Sequence, residues 1–212
     1  MLLLTNTELS WSKLRVRVII ASRENLTQKI HEASMTVIRQ QDFIDSIEES
    51  LQFISYYHPL DYIKAVEKAY NKEQSQAAKD AMAQILINSR MSAEGKRPLC
   101  QDTGIVSAFV TVGMDIQFEA TMGLEEMINE GVRRAYNHPD NLLRASILAD
   151  PDGARKNTGD NTLAVINYKI VPGNTVDIHV AAKGGGSEAK SKFVMLNPSD
   201  SVVDWVLGCH LY

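Results

Sequence analysis

The hydrophobic period of the sequence changes near residue 104, and this change constrains the fold more than any other feature. Before it, apolar residues recur at helical spacing from Arg39 onward, on one side of a predicted helix that carries Phe43, Ile44, Ile47, Leu51 and Ile54. Residues 104–112 are instead β-branched and aromatic and are bounded by glycines, which predicts a buried strand. Helices and strands must bury their apolar sides together. The sequence therefore predicts an α/β (α+β) domain with amino-terminal helices followed by a mixed sheet with flanking helices.

Two further helices are predicted between the first helix and this strand. Pro59 follows His58 and suits a first helical turn, so a second helix is expected to begin there. A third helix is predicted over residues 73–88, ahead of glycine and proline. Its inward side is expected to carry Met82, Ile85 and Leu86. Three helices are thus expected before the first strand.

The second half of the chain predicts another helix and two more strands. The helix is indicated by helical spacing of Leu124, Met127, Ile128 and Val132. The strands are predicted over residues 162–170 and 175–182. Between them lies Val171-Pro172-Gly173-Asn174, a turn signal, so the two strands are predicted to pair as a hairpin.

Composition and charge limit the partners of the chain. Of its 212 residues, 44% are hydrophobic and 23% charged, which is typical of a folded globular protein. The formal net charge of -4 gives no broad attraction for nucleic acid. The two cysteines, Cys100 and Cys209, are too few for a disulfide framework and favour a reducing compartment such as the cytoplasm. No apolar run approaches the length that spans a membrane, and no targeting segment is evident.

Reactive side chains cluster where a loop enters the strand at residue 104. Cys100, Gln101 and Asp102 place a thiol, an amide and a carboxylate side by side. Loops held by a rigid scaffold often carry reactive groups, and a thiolate is the usual ligand of an iron-sulfur cluster. A small buried cysteine is the alternative interpretation. The residues alone leave both open.

Two other segments are candidates for binding an anion. Lys183 precedes three consecutive glycines and Ser187, and the glycine amides could hold a carboxylate or phosphate; a plain turn is equally compatible. The glycine spacing does not match the dinucleotide fingerprint. Arg144, in residues 141–146, could clamp a carboxylate or could be a solvated surface residue. The stretch 157–162 is a further polar candidate.

Taken together, these blocks resemble class I fumarate hydratase and the related tartrate dehydratase alpha chain. The blocks that carry the resemblance are Arg97-Pro98, Cys100-Gln101-Asp102-Thr103-Gly104, Asn141-Leu142-Leu143-Arg144, Asn157-Thr158-Gly159 and Ala182-Lys183-Gly184-Gly185-Gly186-Ser187. Their order and spacing fit as well, and the resemblance covers about residues 35–207. The combination is far more specific than any single block.

The resemblance implies a site and an activity. In that family three cysteines hold a 4Fe-4S cluster, and one iron remains open to bind substrate. By the resemblance, Cys100 is the first of these ligands, Gln101 and Asp102 lie beside the substrate, and Asp102 assists proton movement or orients a base. Arg144 pairs with a substrate carboxylate, and Gly186 contacts the substrate through its backbone. The implied reaction is the reversible hydration of fumarate, a dicarboxylate, to L-malate, and the implied assembly of a complete enzyme is a homodimer.

Both ends of the chain depart from the family pattern. Residues 1–34 are interpreted as an atypical leader, 35–207 as an incomplete amino-terminal hydro-lyase domain and 208–212 as an atypical tail. Cys209 is not assigned as a cluster ligand, so the chain alone is expected to be inactive. Three alternatives stay open: a tartrate dehydratase-type alpha chain, a non-catalytic dicarboxylate-binding domain, and a separate partner chain that supplies the missing cysteines.

Overall fold

The structure, a computed structural model, describes residues 18–19, 35–184 and 193–209. Its elements in chain order are β1 (Val18–Ile19), β2 (Thr36–Arg39), α1 (Gln40–Tyr56), α2 (Leu60–Lys72), α3 (Gln76–Gly95), β3 (Ile105–Gly113), β4 (Ile116–Glu119), α4 (Leu124–Tyr136), β5 (Leu148–Ala149), β6 (Lys156–Asn157), β7 (Val165–Val171), β8 (Val176–Lys183) and α5 (Val202–Cys209). The predicted mixture of helices and a mixed sheet is confirmed.

The central sheet has the strand order β1-β8-β3-β7. β3 runs parallel to β7 and antiparallel to β8. Its side chains alternate, so Val106, Ala108 and Val110 are buried while Phe109 on the other face is 42% exposed. The predicted strand is thus confirmed, but the prediction that it is buried holds for one face only.

The hairpin predicted for the last two strands is wrong. β7 and β8 are joined by the expected turn, but each pairs with β3, which lies between them. The turn passes over the carboxyl end of β3, where the amide of Asp115 donates to the carbonyl oxygen of Gly173 at 2.9 Å. A turn sequence fixes the reversal of the chain but does not exclude a third strand from the gap.

Five short strands, β1, β2, β4, β5 and β6, were not predicted. β2 pairs in parallel with β4, with Thr36 opposite Ile116 and Arg39 opposite Glu119. β2 precedes α1 directly, so the prediction that three helices come before the first strand is also wrong. β2 and β4 have four residues each. The sequence of β2 does not alternate, whereas Ile116-Gln117-Phe118-Glu119 of β4 alternates apolar and polar residues but was not interpreted as a strand.

Two helices cover the buried face of the sheet and form the core with it. As predicted, Phe43, Ile44, Ile47 and Leu51 of α1 are buried, and so are Met127, Ile128 and Val132 of α4. Gly131 lets the two helices approach closely, because a Cβ atom there would lie 2.7 Å from the Cβ of Ile47. This packing holds α4 over the buried face of the sheet, next to the loop that follows α4 in the chain.

The second and third helices pack on each other at the side of this body. α3 continues past the predicted end to Gly95, and Lys96 in the left-handed conformation terminates it. Ile85, which was predicted to face inward, is 41% exposed. None of the helices in the described part of the chain is long and apolar enough to cross a membrane.

The predicted domain boundaries stay predictions. Within the proposed leader, Val18–Ile19 pairs antiparallel with β8. Within the proposed tail, Gly208 and Cys209 belong to α5, while residues 210–212 lie outside the described part.

Candidate functional site

The loop between α3 and β3 carries the predicted thiol, amide and carboxylate, and hydrogen bonds to α1 and α3 anchor it. The amide of Leu99 donates to the carbonyl oxygen of Ser55 at the end of α1, at 2.8 Å. The side chain of Asn88 in α3 donates to the carbonyl oxygen of Leu99 at 2.9 Å. Both bonds hold the residue immediately before Cys100. The thiol is thereby held at the end where β3 begins.

Cys100 is exposed, so the alternative of a small buried cysteine is wrong. Its Sγ lies 3.3 Å from Oε1 of Gln101, which can accept the thiol hydrogen. The backbone amide of Asp102 donates to the same sulfur at 3.5 Å. An amide aimed at sulfur stabilises negative charge on it, and such bonds are among the features that tune iron-sulfur clusters.

Asp102 lies against the end of β8, where the glycine run begins. A Cβ atom on Gly184 would lie 2.7 Å from Oδ2 of Asp102, so a side chain there would displace the carboxylate from its present position. Two residues on, Gly104 (φ +80°) packs against the backbone of Lys183, with 2.5 Å from its virtual Cβ to the carbonyl carbon. The first glycine of the predicted anion-binding run therefore adjoins the cysteine loop.

The segment that contains Arg144 meets the same loop. The hydroxyl of Thr103 donates to the carbonyl oxygen of Arg144 at 2.5 Å. The Arg144 side chain is exposed, as a residue that binds a ligand from solvent must be. Gly186, the predicted backbone contact, lies outside the described residues. The structure thus brings Cys100, Gln101, Asp102 and the Arg144 segment together.

Two buried side chains that hold this loop were missed by the sequence interpretation. The hydroxyl of Tyr136 donates to the carbonyl oxygens of Thr103 and Gly104 at 2.7 and 3.0 Å. Burial raises the pKa of Tyr136, so the hydroxyl remains a neutral donor. The side chain of Asn161 donates to the Gly104 carbonyl at 2.8 Å and accepts from the amide of Ser146 at 2.8 Å.

Only weak signals in the sequence point to these two residues. Tyr136 ends the helix indicated by Leu124, Met127, Ile128 and Val132, and its place four residues after Val132 is a signal for burial but not for a bond to the loop. Asn161 belongs to the polar stretch 157–162, which was a candidate as a whole but without a role for any one residue.

Charged residues of α4 support the stretch that contains Asn161. Arg133 donates to the Asp160 carboxylate at 3.0 Å and also pairs with Glu130. Burial opposes ionisation of Asp160, but hydrogen bonds from Thr162 and from Arg133 outweigh it and lower the pKa. Hydrogen bonds from Arg134 and Arg133 likewise lower the pKa of Glu130. Both carboxylates are therefore ionised at neutral pH.

A cavity of about 380 Å³ lies elsewhere, between α1 and the loop after α4. Three acidic residues, Glu48, Glu49 and Asp140, line this cavity together with one lysine, Lys96. A diacid would be repelled by this set of charges. The loop at Cys100, with the exposed Arg144 and Lys183 in the adjoining segments, offers the better electrostatic match to an anion.

At this loop, Cys100 alone has the chemistry of an iron-sulfur cluster ligand. Cys100 offers an exposed sulfur with an amide donor beside it. Across the described ranges, no group of three or more histidine, cysteine, aspartate or glutamate side chains is arranged to hold a metal ion. A cluster held by three cysteines needs sulfur ligands from beyond those ranges.

Comparison with known proteins connects this arrangement to a family. The family model described as Fumarate hydratase (Fumerase) matches residues 44–209. This match spans the cysteine loop, the Arg144 segment and the glycine run.

Individual relatives come from two kinds of hydro-lyase. The "Putative L(+)-tartrate dehydratase subunit alpha" of Methanocaldococcus jannaschii is 32% identical over 161 residues, or 74% of this chain and 56% of the relative. The "Fumarate hydratase class I, anaerobic" of Escherichia coli K12 is 32% identical over 164 residues, or 77% of this chain and 28% of the relative. The L(+)-tartrate dehydratase subunit alpha of Escherichia coli O157:H7 is 28% identical, over 69% of this chain and 48% of the relative. The matched part of the chain thus spans about half, or less, of these relatives.

Proposed function

Because the chain belongs to the fumarate hydratase family, we propose that it forms the amino-terminal part of an iron-sulfur hydro-lyase that acts on a four-carbon diacid. The observation that carries the proposal is the meeting of three separate segments at one place. The cysteine loop adjoins the Arg144 segment through Thr103 and adjoins the glycine run through Asp102 and Gly184.

The proposed roles follow from the chemistry of each side chain. The guanidinium of Arg144 pairs with one substrate carboxylate, since its fork of donors matches two carboxylate oxygens. The amides of the glycine run, including Gly186, hold a carboxylate through the backbone. Gln101 orients the substrate from the loop. Both ends of a dianion are thereby neutralised or hydrogen-bonded.

Proton transfer is assigned to Asp102. Hydration of a carbon–carbon double bond next to a carboxylate places a proton on one carbon, and the reverse reaction removes it. The Asp102 carboxylate lies beside Gly184, where the carboxylate-binding backbone begins. It can therefore carry this proton or orient the group that does.

Cys100 is proposed as one ligand of a 4Fe-4S cluster, which when bound supplies Lewis-acid polarisation of the substrate. The sequence contains Cys100 and Cys209 and no other cysteine, so three cysteine ligands cannot come from this sequence alone. The remaining ligands are proposed to come from the part of the relatives that the chain does not match.

Fumarate is the first substrate candidate and L(+)-tartrate the second. Fumarate is favoured by the resemblance to class I fumarate hydratase, and a relative of that name is 32% identical. Tartrate is favoured by the alpha subunits of tartrate dehydratase among the relatives, of which this chain covers a larger share. L-malate, the hydrated form of fumarate, and L(+)-tartrate differ by one hydroxyl group, and side chains outside the described residues can decide between them.

The test is anaerobic reconstitution with iron and sulfide, first of the chain alone and then with the carboxy-terminal part of a relative. In the complemented chain we expect Cys100→Ala to lose bound iron and Cys209→Ala to retain it. The complemented chain should hydrate fumarate, and Asp102→Asn should lower kcat by about 100-fold or more, as loss of an acid-base group does. A parallel assay with L(+)-tartrate separates the two substrates.

Two outcomes would contradict the proposal. The first is equal iron content in the complemented wild type and the complemented Cys100→Ala variant. The second is full turnover by Asp102→Asn or by the Arg144→Ala variant of the complemented chain. Robust turnover by the chain alone would contradict the expected need for further cysteine ligands.

A further inference from the structure

We infer that Asn161 is a positioning residue that fixes the distance between the cysteine loop and the Arg144 segment. This inference rests on the proposed function for its consequence, because those two segments carry the proposed cluster ligand and carboxylate clamp. The contacts themselves do not depend on it.

The side chain of Asn161 forms a bridge with one bond to each segment. Its Nδ2 donates to the carbonyl oxygen of Gly104, at the carboxyl end of the cysteine loop, at 2.8 Å. Its Oδ1 accepts from the amide of Ser146, two residues after Arg144, at 2.8 Å. A planar amide holds its donor and acceptor at a fixed separation, so it fixes the spacing of the two backbones.

The bridge is itself held rigidly. Asn161 has no exposed surface, so water cannot readily replace either bond. Its backbone is in the left-handed conformation (φ 60°), which asparagine tolerates better than most residues. The neighbouring Asp160 accepts a hydrogen bond from the amide of Thr162 and another from Arg133, and the second ties the flanking backbone to α4.

Precise spacing matters for the chemistry proposed here. A two-ended substrate is bound well only when the groups at both ends are held within about 0.5 Å of their productive positions. The hydroxyl of Thr103 supplies a second link to the Arg144 carbonyl, but Thr103 belongs to the loop that must be positioned. Asn161 acts from outside both segments.

The test measures the backbone rigidity of the cysteine loop by NMR relaxation, in the whole chain and without iron or substrate. Asn161→Gly removes the bridge while keeping a residue that adopts φ 60° without strain. We expect the backbone order parameters of Gln101, Asp102 and Thr103 to fall from about 0.85 to below about 0.6. The Ser146 amide should also exchange faster with solvent.

Asn129→Ala is the matched control. Asn129 is also buried, and its side chain accepts from the amide of Ala164, but it makes no bond to the cysteine loop. This control should leave the order parameters of residues 101–103 unchanged. Equal loosening in both variants, or a loop that stays rigid in folded Asn161→Gly, would overturn the inference.

A wild-type measurement keeps the inference testable if Asn161→Gly does not fold. The Nδ2 hydrogens of Asn161 should exchange far more slowly than those of the exposed Asn174. Equal exchange rates would mean that the bridge is absent in solution. Neither measurement needs iron or substrate, so their failure is distinguishable from failure of the proposed function.

Discussion

The buried face of the sheet and the loop end of the sheet are stabilised by different physics. The buried face is apolar, with Phe43, Val106 and Val110 essentially without exposed surface. The loop end is held by side chains that bond to backbone carbonyls, chiefly Tyr136 and Asn161. The apolar layer supplies non-directional stability, whereas the hydrogen bonds set the positions of individual groups. Stability and site geometry should therefore respond to different substitutions.

The largest expected effect on stability comes from the apolar layer. Phe43→Ala removes a ring with no exposed surface that packs edge-on against Phe118 at a centroid distance of 5.7 Å. The free energy of unfolding should fall by about 4 kcal/mol, as for other buried aromatic residues. Urea denaturation measures the loss. Reactivity of the Cys100 thiol in the folded fraction should stay close to wild type. A large change in this reactivity would show that the buried face also sets the geometry of the loop end.

Gly104→Ala should have a somewhat smaller effect on stability but a large one on the site. A Cβ atom there would lie 2.5 Å from the Lys183 carbonyl carbon, and the backbone has φ +80°. Left-handed strain and overlap together should cost about 3 kcal/mol. The loop should separate from β8, and the Cys100 thiol should then react at a changed rate with an alkylating probe.

Gly159→Ala separates the two causes. Gly159 has φ +82°, but no described atom lies within 4 Å of its virtual Cβ. It should cost only the conformational strain, about 1 kcal/mol, and leave Cys100 reactivity unchanged. Equal effects of the two alanine variants would contradict the role of close packing at Gly104.

Acid should produce the smallest change in the free energy of unfolding, because it protonates carboxylates that support the loop end of the sheet. The pKa values of Glu130 and Asp160 are lower in the folded chain than their ordinary values of 4.5 and 3.8. Their stabilisation is complete above about pH 4.5 and is lost as the pH falls through the lowered values. These pairs are partly exposed, so the loss should be about 1 kcal/mol or less.

Denaturation at a series of acidic pH values measures this dependence. Arg133→Gln should weaken it, because that substitution removes the guanidinium paired with both carboxylates. An unchanged acid dependence in Arg133→Gln would show that other groups cause it.

The sequence predicts which residues form the buried face far better than it predicts which contacts hold the loop end of the sheet. Helical spacing identified the buried residues of α1 and α4, because burial depends on local period. The order of strands did not follow in the same way, since β3 enters between β7 and β8 from a distant part of the chain. The bridge by Asn161 joins residues 104 and 146, and no local pattern records it. Motif blocks marked which segments matter but not what holds them together.

An NMR titration of the labelled chain with fumarate and with L-malate tests whether the cysteine loop and the Arg144 segment bind a diacid together. We expect chemical shifts to change at Gln101, Asp102 and Thr103, and also at Ser146 and Gly184. The diacid should have little effect at the acidic cavity lined by Glu48 and Glu49. Shift changes confined to that cavity, or identical titrations of wild type and Arg144→Ala, would show that the diacid does not bind at the cysteine loop and the Arg144 segment.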